Sequence, residues 1–301
     1  SEDDLWSIDI DNPLAIRLTT TISSVSSPLL SPDGKWIAYV GREDGNTEVY
    51  IMPSKGGVSK RLTYDGFFIN KIASWDGNNK IIYASDAKQP FSRISDLRSI
   101  NINSGQSEPL NFGICSNIAK SKTFTVIGRN TSDPARWKRY KGGTAGEIWI
   151  DKGNKFNFKK LITLNGNMAC PMIIKNNIYF ISDHNGIGNI YSCNIDGKKL
   201  KQHTFHKNYY SRNASTDGKS IVYHCGADIY LYNLENNKSI KINIDYNSGF
   251  INKSRKFDSA FHYLEHIDID SKANNCNIIS RGKNFTMANW DGAVIQHGKS
   301  Q

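Results

Sequence analysis

An all-β fold is what this sequence predicts, and three observations carry the prediction. A short pattern returns along the whole chain at intervals near forty residues. Hairpin-forming dipeptides separate the strand-like runs between its copies. No segment keeps an amphipathic helical period over about eleven residues. Short alternating strands repeating at that interval are the mark of a propeller, with one four-stranded sheet per repeat. The expected architecture is a six-bladed β-propeller of four-stranded antiparallel blades around an open channel, the first strand of each blade innermost.

The recurring pattern is an acidic or polar residue, an aliphatic, often an aromatic, and then alternation. It reads Asp4-Leu5-Trp6-Ser7-Ile8, Glu48-Val49-Tyr50-Ile51, Asp96-Leu97-Arg98-Ser99-Ile100, Glu147-Ile148-Trp149-Ile150, Asn189-Ile190-Tyr191-Ser192 and Asp228-Ile229-Tyr230-Leu231. The aliphatic positions are 44, 48, 51, 42 and 39 residues apart. Upstream of several copies stands Asp-Gly, as in Asp33-Gly34, Asp76-Gly77 and Asp217-Gly218, which supplies positive φ at little cost and closes a hairpin. Downstream of most copies come basic, β-rich strands such as Lys60-Arg61-Leu62-Thr63 and Lys159-Lys160-Leu161-Ile162-Thr163, read as protected sheet edges.

Five complete blades follow from this spacing, at about 24–64, 68–111, 115–163, 168–205 and 210–244. Leu5–Ile10 and Ile16–Thr19 match the third and fourth strands of a blade without its first two. The expected division is a propeller over 1–250 lacking those two strands, then an extra blade over 251–301. That last blade either opens a following propeller or closes the ring by pairing with Leu5–Ile10. Removal of upstream residues is the preferred account of the incomplete blade.

Composition narrows the functions. Net charge is +10, but Lys outnumbers Arg 27 to 11, the composition of a solubilised surface rather than of specific nucleic-acid binding. No apolar run approaches the ~20 residues that span a bilayer, so no membrane partner is expected. Five widely spaced cysteines (Cys115, Cys170, Cys193, Cys225, Cys276) form no CxxC pair, which argues against a disulfide framework and a zinc site and fits a reducing, cytoplasmic setting. The seven histidines contain no HExxH pair. His203 and His206 fall on opposite faces of a strand, and His262 and His266 share one if that strand is regular. No G-x-S-x-G elbow is present. The expectation is therefore no catalytic residue, no metal and no cofactor.

One segment breaks the repeat: Pro134-Ala135-Arg136-Trp137-Lys138-Arg139-Tyr140-Lys141-Gly142-Gly143-Thr144-Ala145-Gly146, inserted between the second and third strands of its blade. Arg136, Lys138, Arg139 and Lys141 are the candidate binding residues. Three readings stay open. The loop packs Trp137 and Tyr140 against a neighbouring blade, or its cations cap a channel and hold carboxylates, or its interleaved aromatics suit single-stranded nucleic acid.

Arg136–Ile150 resembles the R-W-K-x-Y-[RK]-G-G-T-x-G-x-[IL]-W-I stretch of tricorn proteases. Further similar stretches run in the same order, among them Asp3-Asp4-Leu5-Trp6, Ser85–Ser92, Val126–Thr131, Ile178–Asp183, Tyr209-Tyr210-Ser211-Arg212, Ser280–Lys283 and Gln296-His297-Gly298, so the resemblance covers essentially the entire chain. It implies the six-bladed propeller of a large cytoplasmic assembly, followed in that family by a seven-bladed propeller and a PDZ-containing serine peptidase portion. Such proteases shorten peptides released by the proteasome or similar proteases, and their propellers are taken as filters and channels. The implied function is thus a non-catalytic channel part of a serine peptidase (a hydrolase), with peptides, the remainder of the chain and its homo-oligomer as partners. The family's catalytic positions have no counterpart here. A free-standing, partner-binding propeller of the TolB type is the alternative.

Overall fold

Strand follows strand through the whole of the computed structural model, which describes residues 3–21, 23–92, 94–131, 138–247, 249–250 and 259–298. The chain divides into two units, residues 1–248 and 249–301. In the first, β1 (Trp6–Asp9) and β2 (Asn12–Arg17) form a two-stranded sheet. Five four-stranded sheets follow: β3 (Ser26–Leu30), β4 (Trp36–Gly41), β5 (Glu48–Pro53), β6 (Lys60–Arg61); β7 (Ile69–Asp76), β8 (Lys80–Ser85), β9 (Asp96–Asn101), β10 (Ser107–Pro109); β11 (Asn117–Lys120), β12 (Phe124–Arg129), β13 (Glu147–Lys152), β14 (Lys159–Lys160); β15 (Met168–Ile174), β16 (Asn177–Ser182), β17 (Asn189–Asn194), β18 (Lys201–Gln202); and β19 (Ser211–Thr216), β20 (Ser220–Cys225), β21 (Asp228–Asn233), β22 (Lys238–Lys241). Each is an antiparallel meander in chain order, as the repeat predicts.

The core lies between sheets, because the second strands β4, β8, β12 and β16 are buried on both faces, whereas β20 is buried on one and leaves Val222 and His224 exposed. In β16, Ile178 and Phe180 pack with Phe124, Val126 and Ile148 of the preceding sheet. The alternate residues Tyr179 and Ile181 pack with Ile221 and Tyr223 of the following one. Period-two alternation therefore feeds two separate cores from one strand. First strands provide the closest approach between sheets: β7 lies against β3 and β11, and β15 against β11 and β19. After β22 the chain returns to the first sheet. Ala15 N–H donates to the Asp245 carbonyl (2.9 Å), Asp245 N–H donates to the Pro13 carbonyl (2.6 Å), and the Trp6 and Tyr246 rings meet edge-on at 4.7 Å.

Within the sheets a polar latch recurs. The acidic or amide residue opening the third strand accepts from a side chain thirteen residues on in the fourth strand, from a threonine fifteen residues on, or from both. Glu48, fully buried, takes Arg61 Nη2 at 2.9 Å and the Thr63 hydroxyl, while Thr63 Oγ1 accepts from Val49 N–H at 2.8 Å. Asp4 takes Arg17 Nε at 3.1 Å and the Thr19 hydroxyl at 2.7 Å. Asn189 takes the Thr204 hydroxyl at 2.9 Å. Arg17, Arg61 and Gln202 each also donate to the carbonyl of their threonine. Lys160 and Lys241 supply the ion pair without the threonine, at 2.6 Å from Glu147 and 2.8 Å from Asp228. The basic fourth strands thus neutralise their own sheets in addition to blunting an edge. At the equivalent place in the second four-stranded sheet stands Pro109, which has no donor, and burial raises the pKa of Asp96.

Two of the sequence expectations for histidine are corrected. Strand β18 ends at Gln202, so His203 and His206 lie beyond it and both reach the next sheet. His203 pairs its Nδ1 with the Tyr232 hydroxyl (3.0 Å) and its Nε2 with Ser192 Oγ (2.8 Å); His206 Nε2 meets the Tyr223 hydroxyl at 2.9 Å. His262 lies in a 3-10 turn (Ala260–Tyr263), so it does not share a strand face with His266.

The second unit is one antiparallel sheet of β23 (Leu264–Ile269), β24 (Asn275–Ser280), β25 (Lys283–Ala288) and β26 (Ile295–His297). The partner of β23 is β24, and that of β1 is β2.

Two predictions follow from the latch and the histidines. Thr63→Val leaves the buried Val49 N–H and a Glu48 oxygen without their partner and should cost about 1–3 kcal/mol, read as a lower urea midpoint. Burial, aided by Lys201, pushes the His203 imidazole from 6.5 down to about 4, so the folded state resists protonation that the unfolded chain accepts. Stability should be fully present above pH 6.5 and fall as pH drops from there towards 4. Urea midpoints across that window should fall less steeply for His203→Gln, with a residual fall because burial also lowers His206.

Candidate functional site

The inserted loop leaves β12 and returns at β13. Pro134, Ala135, Arg136 and Trp137 lie outside the described residues. From Lys138 onward the loop is bound to the following sheet through Asp183 and Asn167, both at least nine-tenths buried. Arg139 N–H donates to Asp183 Oδ2 (3.0 Å), and Asn167 N–H donates to Asp183 Oδ1 (2.7 Å). The Asn167 side-chain amide donates to the Tyr140 carbonyl (3.2 Å) and accepts from Gly146 N–H (3.2 Å). One carboxylate and one amide therefore hold both arms of the loop.

The glycines of the segment have particular work. A Cβ at Gly146 would stand 2.2 Å from the Met168 carbonyl oxygen, a backbone atom that cannot swing away. A Cβ at Gly142 would stand 2.2 Å from the Tyr140 hydroxyl, so the ring covers that position. Glu147, which follows, accepts from Trp149 Nε1 (3.0 Å), and the Arg129 guanidinium lies 4.6 Å above the Trp149 ring. These motif residues shape the loop and its root.

Held this way, the loop borders a cavity of about 700 Å³ lined by Lys138, Arg139, Tyr209, Tyr210 and Arg212, with Ile187 and Ala227 among the rest. Lys138 Nζ sits 5.9 Å from the centre of the Tyr210 ring, and Arg139 Nε donates to the Gly186 carbonyl at 3.4 Å. The Tyr210 hydroxyl donates to the same carbonyl at 3.0 Å. Burial first, and then Asp183, raise the Tyr210 pKa, with Arg139 opposing them, so the phenol stays neutral. The lining comes from second-to-third connections of three successive sheets, from one fourth-to-first connection and from the start of β19, all at the same ends of the strands.

The structure thus brings two of the four candidate cations to one cavity. Lys141 is exposed and takes no part in its lining. The sequence argument quoted Tyr210 and Arg212 only for the resemblance and gave them no binding role, because both belong to the regular repeat and nothing in the periodicity singles them out. The arrangement can hold an anion against three cations and two phenols. Away from this cavity, burial drives the Cys115 thiol up to about 12 and Cys193 to about 11, which keeps both protonated. Among the described residues, no group of three His, Cys, Asp or Glu side chains is placed to hold a metal, and no helix is long and apolar enough to cross a membrane.

Four-stranded meanders stacked face to face in chain order, with second-to-third loops gathered around a cavity, define a β-propeller domain. The family model for the tricorn protease N-terminal β-propeller domain matches residues 1–238. The chain belongs to that family. It is 36% identical over 307 residues to a tricorn protease homolog of Saccharolobus solfataricus, covering 100% of this chain and 28% of the relative. It is 34% identical over 251 residues to the tricorn protease of Thermoplasma acidophilum, covering 80% of this chain and 23% of that one. The crystal structure of the tricorn protease superposes with a TM-score of 0.87 at 31% identity, over 99% of this chain and 30% of that chain. The chain therefore spans less than a third of the length of these relatives.

Gly146→Ala should cost about 1–3 kcal/mol through overpacking against rigid backbone. It should also speed tryptic cleavage at Lys138, Arg139 and Lys141, because the loop then loses its seat on Asn167; digestion followed by mass spectrometry reads both the sites and their rates.

Proposed function

We propose that this chain is the non-catalytic propeller portion of a tricorn-like serine peptidase, working in the cytoplasm downstream of the proteasome or similar proteases. Its part is to select and pass peptides for the peptidase portion. The observation that carries this reading is the cavity where Lys138, Arg139 and Arg212 stand beside Tyr209 and Tyr210. Peptides entering or leaving a peptidase carry a free carboxylate, and guanidinium groups match its geometry. Exposed cations contribute only about 0.2–1 kcal/mol each, so several must act on one group. Lys141, exposed and outside the lining, would add to the field rather than make a fixed contact.

The C-terminal sheet fits the same reading as the opening blade of a following propeller. Ile267, Ile269 and Ile295 are exposed on this four-stranded sheet, Phe261 in the turn before it and Trp290 in the connection between β25 and β26, and a blade is stable only when its apolar faces are covered by neighbours. The parent assembly and its oligomer would supply them.

Short peptides with a free C-terminus should bind the chain, and their C-terminally amidated forms should bind several-fold more weakly. Changing Arg136, Lys138, Arg139 and Lys141 together to Ala should weaken the free-carboxylate peptides by about tenfold, and raising salt should weaken them further. Calorimetric titration reads each affinity. Equal binding by the variant would reduce the loop to packing. Turnover of a fluorogenic peptide panel by this chain would overturn the non-catalytic assignment.

A further inference from the structure

At the opposite ends of the strands from the first cavity, a smaller one of about 180 Å³ opens beside Asp151, the fifth residue of β13. Asp151 is 2% exposed. One carboxylate oxygen, Oδ2, accepts from Phe156 N–H at 2.8 Å. The other, Oδ1, is shielded from solvent and has no hydrogen-bond partner among the described residues. A buried carboxylate with one oxygen unpaired is costly in the absence of a positive group.

The remaining walls suit such a group. Phe112, Phe156 and Phe158 line the cavity, with the Phe112 ring centre 5.6 Å from Phe156 and 5.3 Å from Phe158. Lys120 also borders it, but its ammonium is committed to Asp76 at 2.6 Å. The Thr125 hydroxyl donates to Asn154 Oδ1 (2.7 Å), and the Asn154 amide donates to the carbonyls of Ser121 and Lys122 at 3.4 and 3.3 Å. Apart from Asp151, the polar side chains around the cavity thus already have partners. What faces a ligand is aromatic surface backed by negative charge. Phe156 is held at a φ of +59°, a conformation bulky residues rarely adopt, and its ring stays 71% exposed. The Asp151 bond to its N–H holds that strained turn and presents the ring at the cavity mouth.

We propose that this cavity binds a methylated ammonium group. Aromatic faces attract cations through their quadrupoles, most strongly where water is excluded. A primary ammonium brings three N–H donors and would find one free acceptor, whereas a methylated ammonium has few or none to satisfy. The volume is below the ~300 Å³ of the smallest drug-sized sites, so a head group enters and its substituent leaves past Phe156. This inference rests on a different cavity from the peptide reading and stands or falls separately.

The test uses the whole chain and saturation-transfer NMR with three probes: tetramethylammonium, n-butylammonium and the neutral isostere 3,3-dimethylbutan-1-ol. Saturable binding of tetramethylammonium about tenfold tighter than either of the others supports the site. Asp151→Asn, which keeps an acceptor for Phe156 N–H, should weaken that binding about tenfold. Phe156→Leu, at an exposed position that leaves the core intact, should weaken it several-fold. Parallel titration with trimethyl-lysine and choline then separates a side chain from a free solute as the source. Equal affinity for the neutral isostere, no saturable tetramethylammonium binding, or unchanged binding in Phe156→Leu would overturn the proposal.

Discussion

Everything in the first unit depends on how the third strand of a sheet is tied to its fourth. The fourth strands are short, two residues in β6, β14 and β18, too few for ladder hydrogen bonds alone to hold them. The carboxylate or amide at the head of the third strand compensates by gathering a fourth-strand side chain and, in three sheets, a threonine hydroxyl. Glu48 illustrates the balance of terms. A carboxylate removed from water is heavily penalised unless its oxygens are saturated, and here Arg61, Thr63 and Gly66 N–H saturate them. With the outer strand pinned, the inner three can bury apolar residues on both faces.

The repeat and the sheets were legible in the sequence because period-two alternation and turn chemistry act locally. Asp33-Gly34 and Asp217-Gly218 close hairpins for reasons contained in four or five residues. The latch was not legible, although all of its parts were noticed. Glu48 was read as the start of a motif and Arg61 as an edge charge, since only the antiparallel register brings them together. His203 and His206 were misassigned for a related reason: alternation was extended past Gln202, where the chain had already left the strand.

The site was legible in part. Lys138 and Arg139 stood out because they interrupt the repeat. Arg212 and Tyr210 obey it, so the periodicity gave them no binding role. Asp183, which fixes the loop by accepting from a backbone N–H, has no local signature, because any residue but proline at position 139 could supply that donor. A binding surface assembled from one irregular loop and several regular sheets will show only its irregular member to a reader of the sequence.

The constant thirteen-residue interval has an evolutionary corollary. In every sheet of the first unit the residue two beyond the latch position pairs with the residue eleven further on, from Trp6 with Arg17 to Tyr230 with Lys241. An insertion between third and fourth strands has to be looped out to keep that register. Connections between second and third strands carry no such constraint, and they range from the two residues between β20 and β21 to the seventeen between β12 and β13. New specificity in this scaffold can therefore accumulate at one end of the strands, while the opposite end stays locked by its own arithmetic.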